Sequence, residues 1–179
     1  ISSNMVVQVN EAVVWGKSSD PLNFTKVQVK VVNSNNVISS SWETKQVDNT
    51  LGDWSVTINV KDFSSSNTLV FEEHTSGGSI NHVNLTNIAF GHVYLCSGQS
   101  NMAFSLSQAM DATAEIERAK SLPDLRVATV IETCKLTPIE FNITSKSKDY
   151  AWAAANDPKA INLNNWTYPS ATCYLFGRY

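Results

Sequence analysis

The chain has 179 residues, 42% of them hydrophobic and 16% charged, enough for one good core or two small ones. A net charge of -3, a pI near 5.6 and the absence of any Lys/Arg run argue against nucleic acid or an anionic membrane as the main partner. No apolar run approaches the roughly 18 residues of a spanning helix, and the start at Ile1, without a charged and then apolar leader, reads as a mature or processed product.

In chain order, the first ninety residues predict β structure. Short runs rich in β-branched and aromatic residues cover Met5 to Val9, Ala12 to Trp15, Thr25 to Val32, Val37 to Trp42, Trp54 to Val60, Thr68 to Glu72 and Ile80 to Ile88. Within Val27-Gln28-Val29-Lys30-Val31 the alternation has period two, so the valines share one face. Polar turn clusters such as Asn33-Ser34-Asn35-Asn36, Leu51-Gly52-Asp53 and Ser76-Gly77-Gly78 separate the runs. Short strands at this spacing predict a β-sandwich over residues 1–88.

The texture then changes. Ala89 to Leu95 is a nearly continuous apolar run, the pattern of a strand buried on both faces of a parallel sheet. Ser97-Gly98-Gln99-Ser100 follows as a turn, with Gly98 supplying the tight backbone. Asp111 is placed to cap a helix over Ala112 to Lys120, Pro123-Asp124 ends it, and Leu125 to Ile131 is a second strand of buried type. Strand, turn, helix and strand make one βαβ unit and predict a parallel α/β layer over residues 89–179. Cys134 to Asn165 reads as a long loop, and Ser170 caps a helix from Ala171 onward that is still running at Tyr179. The predicted fold class is therefore multi-domain α+β, a β-sandwich followed by part of a parallel-sheet domain.

Cys96, Cys134 and Cys173 cannot all pair with one another and fit no zinc spacing, so no metal is expected. At least one is a buried thiol or the partner of a cysteine elsewhere. Sequons stand at Asn23, Asn84, Asn142 and Asn165, as candidate glycosylation sites. With 18 Asn and about one residue in five Ser or Thr, three or four arise by chance, so they permit secretion without arguing for it.

Val93 to Met102 holds the residues that can carry chemistry. A serine nucleophile needs an exposed hydroxyl, a base and backbone donors for the oxyanion. A turn at the end of a buried strand offers Ser100 the first and third of these. Gly98-Gln99-Ser100-Asn101-Met102 departs from the G-x-S-x-G elbow, because Met102 replaces the second glycine. On spacing alone Ser97 and Ser100 are ordinary turn residues.

Leu95-Cys96-Ser97-Gly98-Gln99-Ser100-Asn101-Met102 closely resembles the nucleophile signature of the sialate O-acetylesterase family within the SGNH hydrolases. Asn4 to Gln8 with Ala12 to Gly16, Asp53 to Val56, and Ser170 to Arg178 resemble other segments of that family in the same order. The resemblance implies a serine esterase acting on O-acetylated sialic acids and needing no cofactor. Ser100 would be the nucleophile and its backbone N–H an oxyanion donor; Gln99 and Asn101 beside it, and Trp166 in the loop near the active edge, are the candidate substrate-binding residues. It further implies a secreted or lysosomal glycoprotein, the C-terminal chain of the same precursor supplying an oxyanion Gly and Asn and an Asp-x-x-His pair.

None of the histidines is placed to be the base: His74 and His82 fall in the β-rich part, and His92 precedes the Ser100 turn by a full strand length. Asp111 and Glu132 are equally unsuited as triad acids. Among the tryptophans, Trp15 and Trp54 read as core, and Trp152 and Trp166 as loop residues towards the active edge. The alternative reading is a non-catalytic carbohydrate-binding or scaffolding β-sandwich subunit.

Overall fold

The computed structural model describes residues 1–33, 44–46, 52–130, 151–162 and 169–179. The expected strand at Val37 to Trp42, Cys134, Glu132, Asn142, Asn165 and Trp166 lie outside them. The chain forms two compact units, Ile1–Val93 and Tyr94–Tyr179.

Among the described residues the regular elements of the first unit are all β-strands, and the unit is sandwich-like. Its strands are β1 (Val6–Gln8), β2 (Ala12–Lys17), β3 (Phe24–Val32), β4 (Thr44–Gln46), β5 (Asp53–Ile58), β6 (Ser64–Thr75) and β7 (Ile80–Gly91). A five-stranded sheet runs in the order β1-β7-β6-β3-β4, and β2 pairs with β5 in a separate two-stranded sheet. Among the described residues only the β1–β7 pairing is parallel. The two sheets share one core, because period two sends alternate residues inward. Val27, Val29 and Val31 of β3, Leu69 and Phe71 of β6, Val14 of β2 and Val56 and Ile58 of β5 meet there. Each such aliphatic residue contributes roughly 1.5–3 kcal/mol of burial.

The same alternation corrects one expectation. Val14 faces the core, so its neighbour Trp15 lies on the opposite face and is only half-buried. Trp54 does pack on the core, with its ring 5.6 Å from that of Phe71. It lies across Gly16, its register partner on β2. A Cβ at Gly16 would overlap the indole, meeting Cε2 at 2.8 Å with Cζ2 closer still. Glycine stands there because the ring occupies the side-chain space.

The long β6–β7 hairpin bends where its register shifts between Ser64 and Leu69. Buried Asn67 secures the bend: its Nδ2 donates to Ser64 Oγ at 2.9 Å and to the Ile88 carbonyl at 3.1 Å. Ser66 and Asn87 take left-handed backbone at the same place (φ 63° and 55°).

The expected domain boundary at 88/89 moves to 93/94. Ile88, Ala89 and Phe90 are buried in the first unit and continue β7, where Val6 to Gln8 pair with Ala89 to Gly91. The apolar run predicted as one strand, Ala89 to Leu95, is thereby divided, and residues 92–98 belong to no strand.

The second unit contains α1 (Ala112–Ala119), β8 (Arg126–Val127), β9 (Ala153–Ala154) and α2 (Ala171–Arg178). The predicted helix is present. Asp111 occupies its N-cap position in left-handed backbone (φ 57°), but its carboxylate makes no capping bond. Of the second predicted strand only Arg126–Val127 forms among the described residues, and it pairs antiparallel with Ala153–Ala154. The parallel βαβ pairing is therefore not found among them, since the strand preceding the helix is claimed by the first unit's core.

Leu106, Ile116, Ala119, Ile161 and Ala171 pack around Tyr174, which is fully buried. The Tyr174 hydroxyl donates to the Glu115 carbonyl at 3.4 Å. The Glu115 carboxylate accepts two bonds from Arg178 Nη1, at 2.9 and 3.1 Å, and one from Arg118 at 2.8 Å, tying α2 to α1.

Two stability predictions follow from this packing. Gly16→Ala should destabilise the protein by about 1–3 kcal/mol through overpacking against Trp54, read as a lower urea midpoint with an unchanged m-value. Burial, reinforced by Glu115 and partly offset by Arg178 and Arg118, raises the Tyr174 phenol above its ordinary value. The folded state thus retains a proton that the unfolded state loses near pH 10. The associated stability is complete below about pH 10 and is lost as pH rises through the higher folded value. Tyr174→Phe should flatten that alkaline loss, measured by urea unfolding at several pH values above 9.

Candidate active site

Ser100 opens a 3₁₀ turn, Ser100–Met102, that follows an extended stretch. Gln99 precedes it in extended backbone (φ -79°, ψ -164°). The turn closes through Met102 N–H to the Gln99 carbonyl at 2.8 Å and Ala103 N–H to the Ser100 carbonyl at 3.0 Å. The leading amides of such a turn have no partner within it. Gln99, Ser100 and Asn101 are all exposed. The Ser100 hydroxyl makes no hydrogen bond among the described residues and is open to an incoming reactant. Gly98 does not adopt left-handed backbone, and a Cβ there would meet Met102 only at an ordinary 3.6 Å. The tight geometry expected of it is absent.

The segment is held at both ends by the start of α2. Cys96, four residues before Ser100, forms a disulfide with Cys173. After Ser100, Ala171 N–H donates to the Phe104 carbonyl at 2.8 Å and Leu106 N–H to the Pro169 carbonyl at 3.0 Å, flanking an isolated bridge between Ser105 and Ser170. Ser170 Oγ approaches Met102 Sδ at 3.5 Å and accepts from Cys173 N–H at 3.5 Å as the helix cap. Ser105 is buried and completes a reciprocal cap with Gln108, bonding it through both backbone N–H and hydroxyl. Residues 96–105 thus form an arch with both feet on Pro169–Cys173 and Ser100 in its span.

Sequence reasoning left the cysteine pairing open and did not anticipate the Pro169–Ala171 staple. The only available signal was that the two specific segments, around Ser100 and over Ser170 to Arg178, each carry one cysteine.

The second unit holds no histidine, since His74, His82 and His92 all belong to the first. There, His74 Nε2 lies 3.2 Å from Gln28 Oε1, His82 Nδ1 lies 3.9 Å from Glu72, and His92 meets the Phe63 ring edge-on at 5.1 Å. Trp152 is half-buried in the second unit. Asn23 and Asn84 are both exposed. Among the described residues no group of three or more His, Cys, Asp or Glu could hold a metal ion. No helix among them is long and apolar enough to cross a membrane.

A further surface feature adjoins the arch. Val93, Tyr94 and Leu95 are 40%, 61% and 87% exposed, and the Tyr94 ring meets that of Phe176, also exposed, edge-on at 5.1 Å. A sequence of buried-strand type thus lies open to solvent.

No protein-family model matches the chain. A solved structure, CopC from Methylosinus trichosporium OB3b, aligns at a TM-score of 0.39 and 11% identity, over 52% of this chain and 91% of that one. The chain is 34% identical over 113 residues to the sialate O-acetylesterase of Mus musculus, covering 62% of this chain and 20% of the relative. It is 38% identical over 95 residues to that of Rattus norvegicus (51% and 16%) and 33% identical over 94 residues to that of Homo sapiens (51% and 17%). The matched region therefore spans about a fifth or less of these relatives' length. The relationship to sialate O-acetylesterases is partial and distant, and it points towards an esterase-type hydrolase.

Proposed function

We propose that the chain is the N-terminal part of a secreted or lysosomal carbohydrate O-acetylesterase of SGNH type that removes acetyl esters from sialic acids, with Ser100 as nucleophile. The observation that carries this reading is an exposed, unpartnered Ser100 hydroxyl on an arch anchored at both ends, in a chain similar to sialate O-acetylesterases. Rigid anchoring matters because a misplacement of about 1 Å can cost on the order of 10²-fold in rate.

Ser100 Oγ attacks the acetyl carbonyl carbon while its proton passes to an imidazole. The collapsing tetrahedral intermediate expels the sugar oxygen, which takes up that proton. Water then attacks the acetyl-enzyme by the same route and releases acetate. The Ser100 N–H is one oxyanion donor, Gln99 and Asn101 bind the sugar, and Trp166, outside the described residues, is a further candidate for sugar binding. The imidazole, its aspartate and the further oxyanion Gly and Asn come from the C-terminal chain of the same precursor, paired with this one as a heterodimer. Two observations support a missing complement. The second unit has no histidine, and the buried-type run Val93 to Leu95 is exposed where neighbouring strands of a parallel sheet would cover it. The disulfide Cys96–Cys173 supports an oxidising compartment.

In the full-length protein a fluorophosphonate probe should label Ser100, and Ser100→Ala should lower aryl acetate hydrolysis by at least ~10³-fold with an unchanged melting temperature. A label on another residue, or a Ser100→Ala enzyme that keeps its rate, would leave only a carbohydrate-binding or scaffolding role. Cys173→Ser should lower kcat by about tenfold or more and also lower the melting temperature, because it releases one foot of the arch.

A further inference from the structure

The five-stranded sheet has two margins, and they are treated differently. At one lies β4, described over Thr44–Gln46. At the other, β7 is twelve residues long, but β1 pairs with only its last three, Ala89 to Gly91. Just before these, Thr86 N–H donates to Ser3 Oγ at 3.0 Å, Asn4 N–H donates to the Thr86 carbonyl at 3.1 Å, and Asn87 Nδ2 donates to Asn4 Oδ1 at 2.8 Å. Earlier in the strand, no segment among the described residues pairs with the outer edge of Ile80 to Leu85.

Every residue from Ile80 to Asn84 is exposed. Val83 is 57% exposed although its register partner Phe71 is core, so at this register the packed interior reaches β6 and leaves β7 outside it. An open edge bearing exposed β-branched residues is a template for pairing with another chain. The usual protections are missing here. Ile80-Asn81-His82-Val83-Asn84-Leu85 contains no lysine and no proline, and its register with β6 is regular. What stands in it is a sequon, Asn84-Leu85-Thr86, whose asparagine is exposed and has no side-chain hydrogen bond among the described residues. The Asn23 sequon differs: it lies in a turn and its Nδ2 is engaged by Asp20 Oδ2 at 2.9 Å.

We propose that Asn84 carries an N-linked glycan and that this glycan guards the open edge of β7. A bulky, hydrated group on the edge strand excludes a second strand sterically, doing what lysine or proline does at other sheet margins. The inference rests on the secretory compartment proposed above and not on the hydrolase reading.

The test uses the full-length protein secreted from a eukaryotic cell line. Site-resolved mass spectrometry should find the Asn84 peptide glycosylated. Asn84→Gln and Thr86→Ala should each lower the secreted monomer several-fold and move the remainder to oligomers on size exclusion, whereas Asn23→Gln should leave the profile unchanged. Val83→Lys added to Asn84→Gln should restore the monomer, because a charge on the edge replaces the glycan's exclusion. An unmodified Asn84 beside a glycosylated sequon elsewhere overturns the proposal alone, and no glycan anywhere overturns the compartment with it. A modified Asn84 whose loss leaves the monomer intact, or whose loss Val83→Lys does not repair, overturns the guarding role.

Discussion

The disulfide between Cys96 and Cys173 and the backbone bonds from Pro169 and Ala171 to the 104–106 segment hold the candidate site together. Without them residues 96–105 would be an exposed connection with few buried contacts, the kind of segment that samples many conformations. By the chain-entropy model, closing a loop of 77 residues restricts the unfolded chain by about 4–5 kcal/mol. The backbone bonds on the other side of Ser100 add direction, because they set the arch against the first turn of α2. A candidate nucleophile gains in orientation from such fixation.

α2 itself is held by a different kind of contact. Tyr174 fills the centre of the second unit's core, while Arg178 reaches Glu115 on α1. Glu115 is shared between two arginines, and this partly buried cluster fixes α2 in rotation as well as position. Because Cys173 and Tyr174 are adjacent, the core side chain and the disulfide act on the same turn. Packing in the interior is thereby transmitted to the arch through a single helical turn.

The two units solve their burial problems in different ways. In the first, two sheets enclose a core of valines, isoleucines and phenylalanines, and Gly16 makes room for the one large ring that lies across β2. In the second, the described residues form small helices and a two-residue strand pair, and Tyr94, Leu95 and Phe176 are exposed. Exposed aromatic and aliphatic surface beside a candidate site is a common mark of an interaction surface. It accords with the proposed complement from the rest of the precursor.

The strands of the first unit were legible in sequence because period-two alternation has a direct physical meaning, most plainly at Val27, Val29 and Val31. The helix caps at Asp111 and Ser170 were legible as positions, and the motif around Ser100 marked the candidate nucleophile by resemblance. Tertiary structure alone decided the rest. Ala89 and Phe90 look like the start of a second domain, yet they complete the first unit's core, because an apolar run does not state which core will bury it. Trp15 and Trp54 have the same strand context, and only the side of the sheet separates a half-buried ring from a packed one. The pairing of Cys96 with Cys173 joins residues 77 apart, and no local preference encodes a contact of that range. Local chemistry set the periodicity and the turns; distant contacts chose the partners, because long-range packing depends on shape that no single segment carries.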